Sequence, residues 1–327
     1  MLLQVTHDTR YRYMPAVETA QHLAYMQPRA HAAQTLLDHA LHINPAPALV
    51  RSMNDVYGNT RCFFSLQMPH PELDVVARSV VATTAQPRPE SRIGWEHTTE
   101  LFRYASGGRF ESASEFVFAS PHVPRHADFL AYARPSFLPG ASLLEAATDL
   151  MQRIHADFRY VSHSTEVDTP ALEALAQRRG VCQDFAHIML ACLRAKGIAA
   201  CYVSGYMLTR AAPGTVKLKG GDASHAWVSV YLADLPEGRR WCDFDPTNNR
   251  CGWLSPGEDY VTLAIGRDFS DVSPLRGVIH GGSHSTLTVG VTVEELPEFT
   301  PANGMFGQRM NPSQSQSQSQ GQSQGQS

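Results

Sequence analysis

Gly180-Val-Cys-Gln-Asp-Phe-Ala-His-Ile188 marks the start of a helix that the sequence extends to Lys196, after which Gly197 ends it. Its apolar side chains recur at helical spacing, which predicts a largely buried helix. Cys182 stands in the first turn, where unsatisfied N–H groups and the positive end of the helix dipole stabilise a thiolate. Its backbone N–H is also placed to contribute to an oxyanion hole. An isolated cysteine at such a position is more often a small hydrophobe, so its function depends on partners elsewhere.

Two predicted strands downstream of this helix supply candidate partners. They are His225-Ala-Trp-Val-Ser-Val-Tyr-Leu232 and Arg240-Trp-Cys-Asp-Phe-Asp245, joined by a turn-rich connection. Strand alternation places Asp243 and Asp245 on one face of the second strand. An antiparallel hairpin centred near residue 235 pairs position 225 with position 245, which brings Asp245 within reach of His225. The hairpin register decides which carboxylate lies beside the histidine.

The chain order of Cys182, His225 and Asp245 is that of a nucleophile, a base and an orienting carboxylate. In such a triad the base shares the thiol proton, and the carboxylate fixes the tautomer of the base and stabilises its cation. Each residue also has a plain structural interpretation. His225 could be a strand histidine hydrated by water, and Asp245 before Pro246 could simply start a turn. The combination of three suitable residues favours catalysis.

Four motifs carry a resemblance to a known family. They are Gly180 to Ile188, Tyr202-Val-Ser-Gly-Tyr206, His225-Ala-Trp227 and Asp245-Pro-Thr-Asn248. Together they resemble the core of bacterial transglutaminase-like proteins. The first 85 residues resemble the β domain that precedes this core in many bacterial members, and positions 259–278 are similar to the segment that follows it.

The resemblance implies an α+β fold with a papain-like core. It also implies that Cys182, His225 and Asp245 form the catalytic triad, and it favours Asp245 over Asp243 as the third member. The implied chemistry is attack of a thiolate on a peptide or carboxamide carbonyl, giving a thioester that water or an amine resolves. No calcium domain of the eukaryotic type is recognisable, so peptide or amide hydrolysis is placed slightly ahead of amine-accepting cross-linking. The alternative is a non-catalytic binding module on the same fold.

The residue that completes the oxyanion hole is open. Eukaryotic cross-linking transglutaminases have a tryptophan after the catalytic cysteine, where this chain has Gln183. The substrate or oxyanion candidates are Tyr160, Gln183 and Trp227. Tyr160 could equally be a core tyrosine.

The domain organisation follows from changes in periodicity and composition. Residues 1–85 predict an N-terminal β domain, 86–134 a connecting segment, 135–250 the catalytic core, 251–300 C-terminal β strands and 301–327 a disordered Ser/Gln/Gly tail. Within the core, the capping box Ser142-x-x-Glu145 begins a helix over 142–156, and Thr169-Pro170 opens a shorter one. The strands after residue 251 are candidates to join the N-terminal β domain.

Bulk composition limits the partners that can be expected. The 327 residues carry a net charge of −4, with 43% hydrophobic and 18% charged residues, as in an ordinary globular protein. No global field recruits nucleic acid or an anionic membrane, so the expected partner is a protein or peptide substrate. The N-terminus lacks the features of a signal peptide, and no apolar segment approaches the ~20 residues that span a bilayer. A cytoplasmic location is therefore predicted, while the oligomeric state stays open.

Metal and cofactor binding are not expected. The six cysteines form no CxxC pair. Two histidine pairs, at positions 122 and 126 and at positions 280 and 284, have a spacing of four residues. Pro124 and the Gly281-Gly282 pair make a metal-binding helix unfavourable at either place.

Overall fold

A computed structural model describes residues 1–103, 111–162, 169–209, 224–282 and 284–298 of the chain. The strands are β1 Leu2–Ala24, β2 Gln34–Asn44, β3 Leu49–Asn54, β4 Thr60–Leu66, β5 His70–Thr83, β6 Arg159–Tyr160, β7 Arg179–Gly180, β8 Ala200–Met207, β9 Ser224–Tyr231, β10 Trp241–Asp245, β11 Arg250–Trp253, β12 Tyr260–Gly266, β13 Leu275–Gly281 and β14 His284–Glu295. The helices are α1 Trp95–Leu101, α2 Ala127–Ala133, α3 Leu143–Asp157, α4 Ala171–Gln177, α5 Cys182–Ala195 and α6 Phe269–Val272, with 3-10 turns at Ser112–Val117 and Arg134–Ser136. The tail predicted over 301–327 lies outside the described residues.

The N-terminal domain is a seven-stranded antiparallel sheet organised around the 23-residue strand β1. The first half of β1 pairs with β5 and β14, and its second half pairs with β4 and β13. Alternate side chains of β1 are buried, as Leu3 and Val5 illustrate, because successive residues of a strand point to opposite faces. The β character predicted for residues 1–85 is therefore present.

The core combines helices with a five-stranded antiparallel sheet in the order β11-β10-β9-β8-β12. Helix α5 packs against this sheet, and helices α2, α3 and α4 pack against α5. The capping box of α3 is formed as predicted: Ser142 Oγ accepts from the backbone N–H of Glu145, whose side chain accepts from the N–H of Ser142. Helix α4 begins directly after Pro170. The mixed helix and strand content confirms the α+β class with an N-terminal β-rich region.

The structure divides the C-terminal strands differently from the sequence-based boundaries. Strands β13 and β14 join the N-terminal sheet, as was considered possible. Strands β11 and β12 belong instead to the core sheet, which therefore extends beyond the predicted core boundary at residue 250. The core also begins inside the predicted connecting segment 86–134, because α2 packs against α5. A period of two identifies a strand, but it does not identify the strand's neighbour.

None of the helices in the described ranges is long and apolar enough to cross a membrane.

Candidate active site

The start of α5 fixes the position of the candidate nucleophile. Val181 is extended and precedes the helix, and its N–H donates to Asp184 Oδ2 at 2.8 Å. A Cβ added to Gly180 would lie 2.5 Å from Asp184 Oδ2, so this cap needs glycine at position 180. Cys182, the first residue of α5, is partly buried, and its Sγ lies 3.9 Å from the carbonyl oxygen of Ser224. The thiol therefore lies at the positive end of a buried helix.

Strands β9 and β10 bring the candidate base and carboxylate together. His225 Nε2 lies 2.7 Å from Asp245 Oδ2. His225 is 9% exposed and Asp245 is completely buried. Cys182 lies close enough to His225 to contribute to the raised pKa of its imidazole. The three side chains predicted as a triad thus lie together at one place in the fold.

The environment of this pair favours its charged form. Burial by itself would lower the pKa of His225, but the hydrogen bonds with Asp245 and Cys182 and the charges of both raise it to about 10. Burial would likewise raise the pKa of Asp245, yet its hydrogen bonds with His225, Asn248 and Tyr260 and the charge of His225 hold that pKa below its usual value. At neutral pH a carboxylate and an imidazolium therefore stand beside the thiol.

The hairpin register differs from the predicted one. Trp241 pairs with Tyr231, so the hairpin is centred on residue 236 rather than 235, and the direct pairing of positions 225 and 245 was wrong. His225 reaches Asp245 along a diagonal instead, which long side chains can span. The turn between the strands contains several turn-forming residues, and composition does not decide which of them is central.

Asp243, the other candidate carboxylate, has a separate set of partners. It pairs with Ser229 in the sheet and accepts hydrogen bonds from Ser229 Oγ at 2.5 Å and from Trp227 Nε1 at 2.8 Å. Burial raises the pKa of Asp243 to about 6, although these two hydrogen bonds oppose the rise. Asp243 supports the core beneath the site and does not contact His225 through any described hydrogen bond.

Trp227 was expected to contact substrate or an oxyanion, and the structure contradicts this. Its side chain is completely buried, and its only N–H donor is committed to Asp243. The ring packs beside His225 and edge-on against Tyr260, with centroid distances of 6.0 Å and 5.5 Å. Strand alternation places Trp227 on the same face of β9 as His225. Two residues further along the strand, however, this face is covered by the core.

Tyr160 and Gln183 lie near Cys182. Tyr160 is 51% exposed, and its ring stands edge-on to Phe185 of α5 at 6.4 Å. Burial and the neighbouring Cys182 raise the pKa of Tyr160. Gln183 is partly buried in the first turn of α5. The donor role predicted for either residue remains a prediction.

The structure adds two side chains that the sequence did not identify. Asp245 Oδ2 also accepts from Asn248 Nδ2 and Tyr260 Oη, each at 2.7 Å. Its Oδ1 accepts from the backbone N–H groups of Thr247 at 2.8 Å and Asn248 at 3.3 Å. The Asp-Pro-Thr-Asn motif is an Asx-turn signal that could have identified Asn248. Tyr260 lies on a different strand, and no local signal points to it.

Within the described ranges, no group of three or more His, Cys, Asp or Glu side chains could hold a metal ion. Both histidine pairs considered from sequence have other contacts. His126 accepts from the N–H of Asp128 at the start of α2, and His280 Nδ1 lies 3.0 Å from Glu18 Oε2.

The fold and this arrangement define the class of papain-like thiol enzymes, in which a cysteine begins a buried helix and a histidine and an aspartate lie on adjacent strands. Residues 3–82 match the bacterial transglutaminase-like N-terminal region, and residues 131–246 match the transglutaminase-like superfamily. The chain belongs to the bacterial transglutaminase-like family.

Mycobacterial relatives span almost the whole chain. An uncharacterized protein of Mycobacterium tuberculosis is 38% identical over 300 residues, covering 90% of this chain and 92% of its own. An uncharacterized protein of Mycobacterium leprae is 32% identical over 294 residues, covering 90% and 99%. A solved structure, that of a candidate cysteine protease from Cytophaga hutchinsonii, covers 92% of this chain and 93% of its own with a TM-score of 0.65. At 21% identity this similarity establishes a shared fold.

Proposed function

We propose that this protein transfers acyl groups from peptide or carboxamide substrates through a thioester on Cys182, with water as the main acceptor. The observation that carries the proposal is the 2.7 Å contact between His225 and Asp245 beside Cys182, whose Sγ lies 3.9 Å from the carbonyl oxygen of Ser224, the residue before His225. A cysteine beside an imidazolium at a helix start is activated as a thiolate.

The reaction balances with these three residues. Cys182 Sγ attacks the carbonyl carbon, and the His225 imidazolium donates its proton to the departing amine or ammonia. The neutral imidazole then takes a proton from water as the water oxygen attacks the thioester carbon. Cleavage of the C–S bond releases the acid, the thiolate returns, and the proton remains on His225. Asp245 holds the imidazole in position throughout.

Two described residues near the thiol are open to solvent, so water can approach it. Tyr160 is 51% exposed, and Ser224, whose carbonyl lies beside Sγ, is also exposed. An amine could enter by the same route, so cross-linking is the competing outcome in substrate tests. A cytoplasmic location is part of this proposal.

The deciding experiment is alkylation by limiting iodoacetamide across a pH series, followed by intact-protein mass spectrometry. Burial raises the pKa of Cys192, Cys201 and Cys242, the last two also under the influence of Asp243, so these thiols should react slowly. We expect rapid single-site labelling of Cys182 that persists well below pH 8, disappears in Cys182→Ala and weakens in His225→Ala. Equal labelling of Cys182 and the other cysteines would reject the proposal in favour of a binding module.

Glutamine peptides should then be tested with and without added primary amine. Release of ammonia and free acid without amine is expected for hydrolysis. Incorporation of the amine into peptide as the dominant product would identify a cross-linking transglutaminase instead. Cys182→Ala serves as the inactive control in both arms.

A further inference from the structure

We propose that Tyr260 is a positioning residue for the triad, and that the N-terminal β domain holds it there through two amide side chains, Gln34 and Asn59. This inference rests on the proposed function, because it assigns a task to residues around the same thiol. It also gives the N-terminal domain a part in the catalytic apparatus.

Tyr260 is the contact between β12 and the triad. Its side chain is 1% exposed, and its Oη donates to the same Asp245 oxygen, Oδ2, that lies 2.7 Å from His225 Nε2. Burial and the charge of Asp245 raise the pKa of Tyr260, so the phenol keeps its proton and remains a donor. Tyr260 therefore fixes the oxygen that orients the histidine ring.

Strand β12 is the last strand of the core sheet, and only one of its edges is paired with another strand in the described chain. Its inner edge pairs with β8. On its outer edge the amide of Gln34 bonds both backbone groups of Thr262: Nε2 donates to the carbonyl at 2.8 Å, and Oε1 accepts from the N–H at 2.8 Å. The amide of Asn59 does the same for Ile265, at 2.7 Å and 2.9 Å. Each amide thus takes the place of a peptide group in a sixth strand.

The two amides are themselves held rigidly. Gln34 is 3% exposed and Asn59 is completely buried. Gln34 Nε2 also donates to the carbonyl of Arg29 at 2.6 Å, while Arg29 Nη1 donates to Asn59 Oδ1 at 2.6 Å. Because Arg29 connects both amides, they form one frame that belongs to the N-terminal domain. Thr262 and Ile265 lie two and five residues after Tyr260, so the frame sets where the phenol stands.

A second interdomain contact provides a matched control. Tyr206 is also 1% exposed, and its Oη lies 2.9 Å from Nδ1 of His7 in β1. Tyr206→Phe and Tyr260→Phe each remove one buried hydroxyl and one hydrogen bond. Only Tyr260→Phe removes a contact with Asp245, so a difference between the two variants reports positioning rather than packing.

The experiment measures the pH dependence of iodoacetamide labelling at Cys182 in full-length wild type, Tyr260→Phe, Gln34→Met, Asn59→Leu and Tyr206→Phe. Thermal unfolding of each variant confirms that it is folded at the assay temperature. A loosened Asp245 holds the His225 ring less well, so the imidazolium is less well placed beside Cys182 and labelling at acid pH slows. In Tyr260→Phe we expect the acid side of the labelling rate–pH curve to move up by about one pH unit. Labelling of Cys182 at pH 6 would then be about 10-fold slower than in wild type. Gln34→Met and Asn59→Leu should move it in the same direction, and Tyr206→Phe should leave it unchanged.

Each outcome is decisive. A folded Tyr260→Phe with a wild-type profile would overturn the positioning role, and the proposed function would stand. Folded Gln34→Met and Asn59→Leu variants with wild-type profiles would overturn the part given to the N-terminal domain. A shift as large in Tyr206→Phe would also refute the inference, because general loosening would then explain it. If wild-type Cys182 shows no preferential labelling, the proposed function fails first and this inference falls with it.

Discussion

Two buried histidines, one in each sheet, have opposite acid–base behaviour. His22 in the N-terminal sheet is 4% exposed and stacks on Phe64 at 5.1 Å, and neither ring nitrogen has a hydrogen-bond partner among the described residues. Burial and the nearby His70 lower the pKa of His22 to about 4. His225 is similarly buried at 9%, but its pKa is raised to about 10. Because burial lowers the pKa of both histidines, the positive charge of His225 comes from its partners and not from its burial.

The largest expected effect comes from removing that partner. In Asp245→Asn, burial is no longer opposed by a carboxylate, so the pKa of His225 should fall below its ordinary value. The thiol would then lose its cationic neighbour, and labelling of Cys182 at pH 6 should slow on the order of 100-fold. The labelling rate is measured by quenching the iodoacetamide reaction at a series of times and determining the intact protein mass.

Asp243→Asn is the matched control for this prediction. Asp243 lies two residues before Asp245 on the same strand and is also buried, but it bonds Ser229 and Trp227. Its labelling rate should stay within a few-fold of wild type. Unchanged labelling in Asp245→Asn would mean that the charge of His225 does not depend on Asp245.

A moderate effect is expected for the pH dependence of stability. The pKa of His22 is about 4 in the folded protein, against an ordinary value of 6.5 in the unfolded chain. Between these two pH values the unfolded chain therefore binds more protons than the folded one. Stability is therefore lost as pH falls from about 6.5 towards 4, and His22 accounts for about 2 kcal/mol of that loss between pH 7.5 and 5.

His22→Leu should reduce the difference in unfolding free energy between pH 7.5 and pH 5 by this amount, as measured by urea denaturation. The control is His280→Leu, since His280 is 78% exposed beside Glu18 and its replacement should leave the difference unchanged. His225 has the opposite sign: its raised pKa gives stability that is complete below pH 6.5 and lost as pH rises through about 10. An unaltered pH difference in His22→Leu would show that this ring is hydrated in solution.

The smallest effect concerns two buried tyrosines. Tyr13 is 6% exposed, and its hydroxyl has no partner among the described residues, whereas the hydroxyl of Tyr260 bonds Asp245. Tyr13→Phe should leave the free energy of unfolding unchanged or raise it by about 1 kcal/mol, because an unsatisfied buried hydroxyl is costly. Tyr260→Phe should lower it by about 1–3 kcal/mol. Equal losses in urea denaturation would indicate that Tyr13 is hydrogen-bonded to buried water.

Local sequence signals predicted helices α3, α4 and α5, but not α1, α2 or α6. The capping box at Ser142 and Glu145 correctly placed the start of α3. Alternation along β9 and β10 placed His225 and Asp245 on faces that can interact, and the glycine-led start of α5 placed Cys182 in its first turn. Each of these signals lies within a few residues of the feature it predicts.

Features that depend on tertiary neighbours were not predictable in this way. The predicted centre of the β9–β10 hairpin was wrong by one residue, because several residues of the turn could lie at its centre. Tyr260 meets Asp245 from 15 positions away on another strand, and Gln34 meets Thr262 across 228 positions. Polar residues with such distant partners look like ordinary surface residues in the sequence. Burial of Trp227 was missed for the same reason.

The amide frame on β12 has a consequence for solubility. The last strand of a sheet carries unpaired N–H and C=O groups that can template pairing with another chain. Gln34 and Asn59 occupy those groups at Thr262 and Ile265, so this strand cannot recruit a foreign one there. A catalytic core produced without residues 1–85 would uncover them. We expect such a fragment to self-associate with rising concentration, because β12 loses its amide cover and β13 and β14 lose their partner β1.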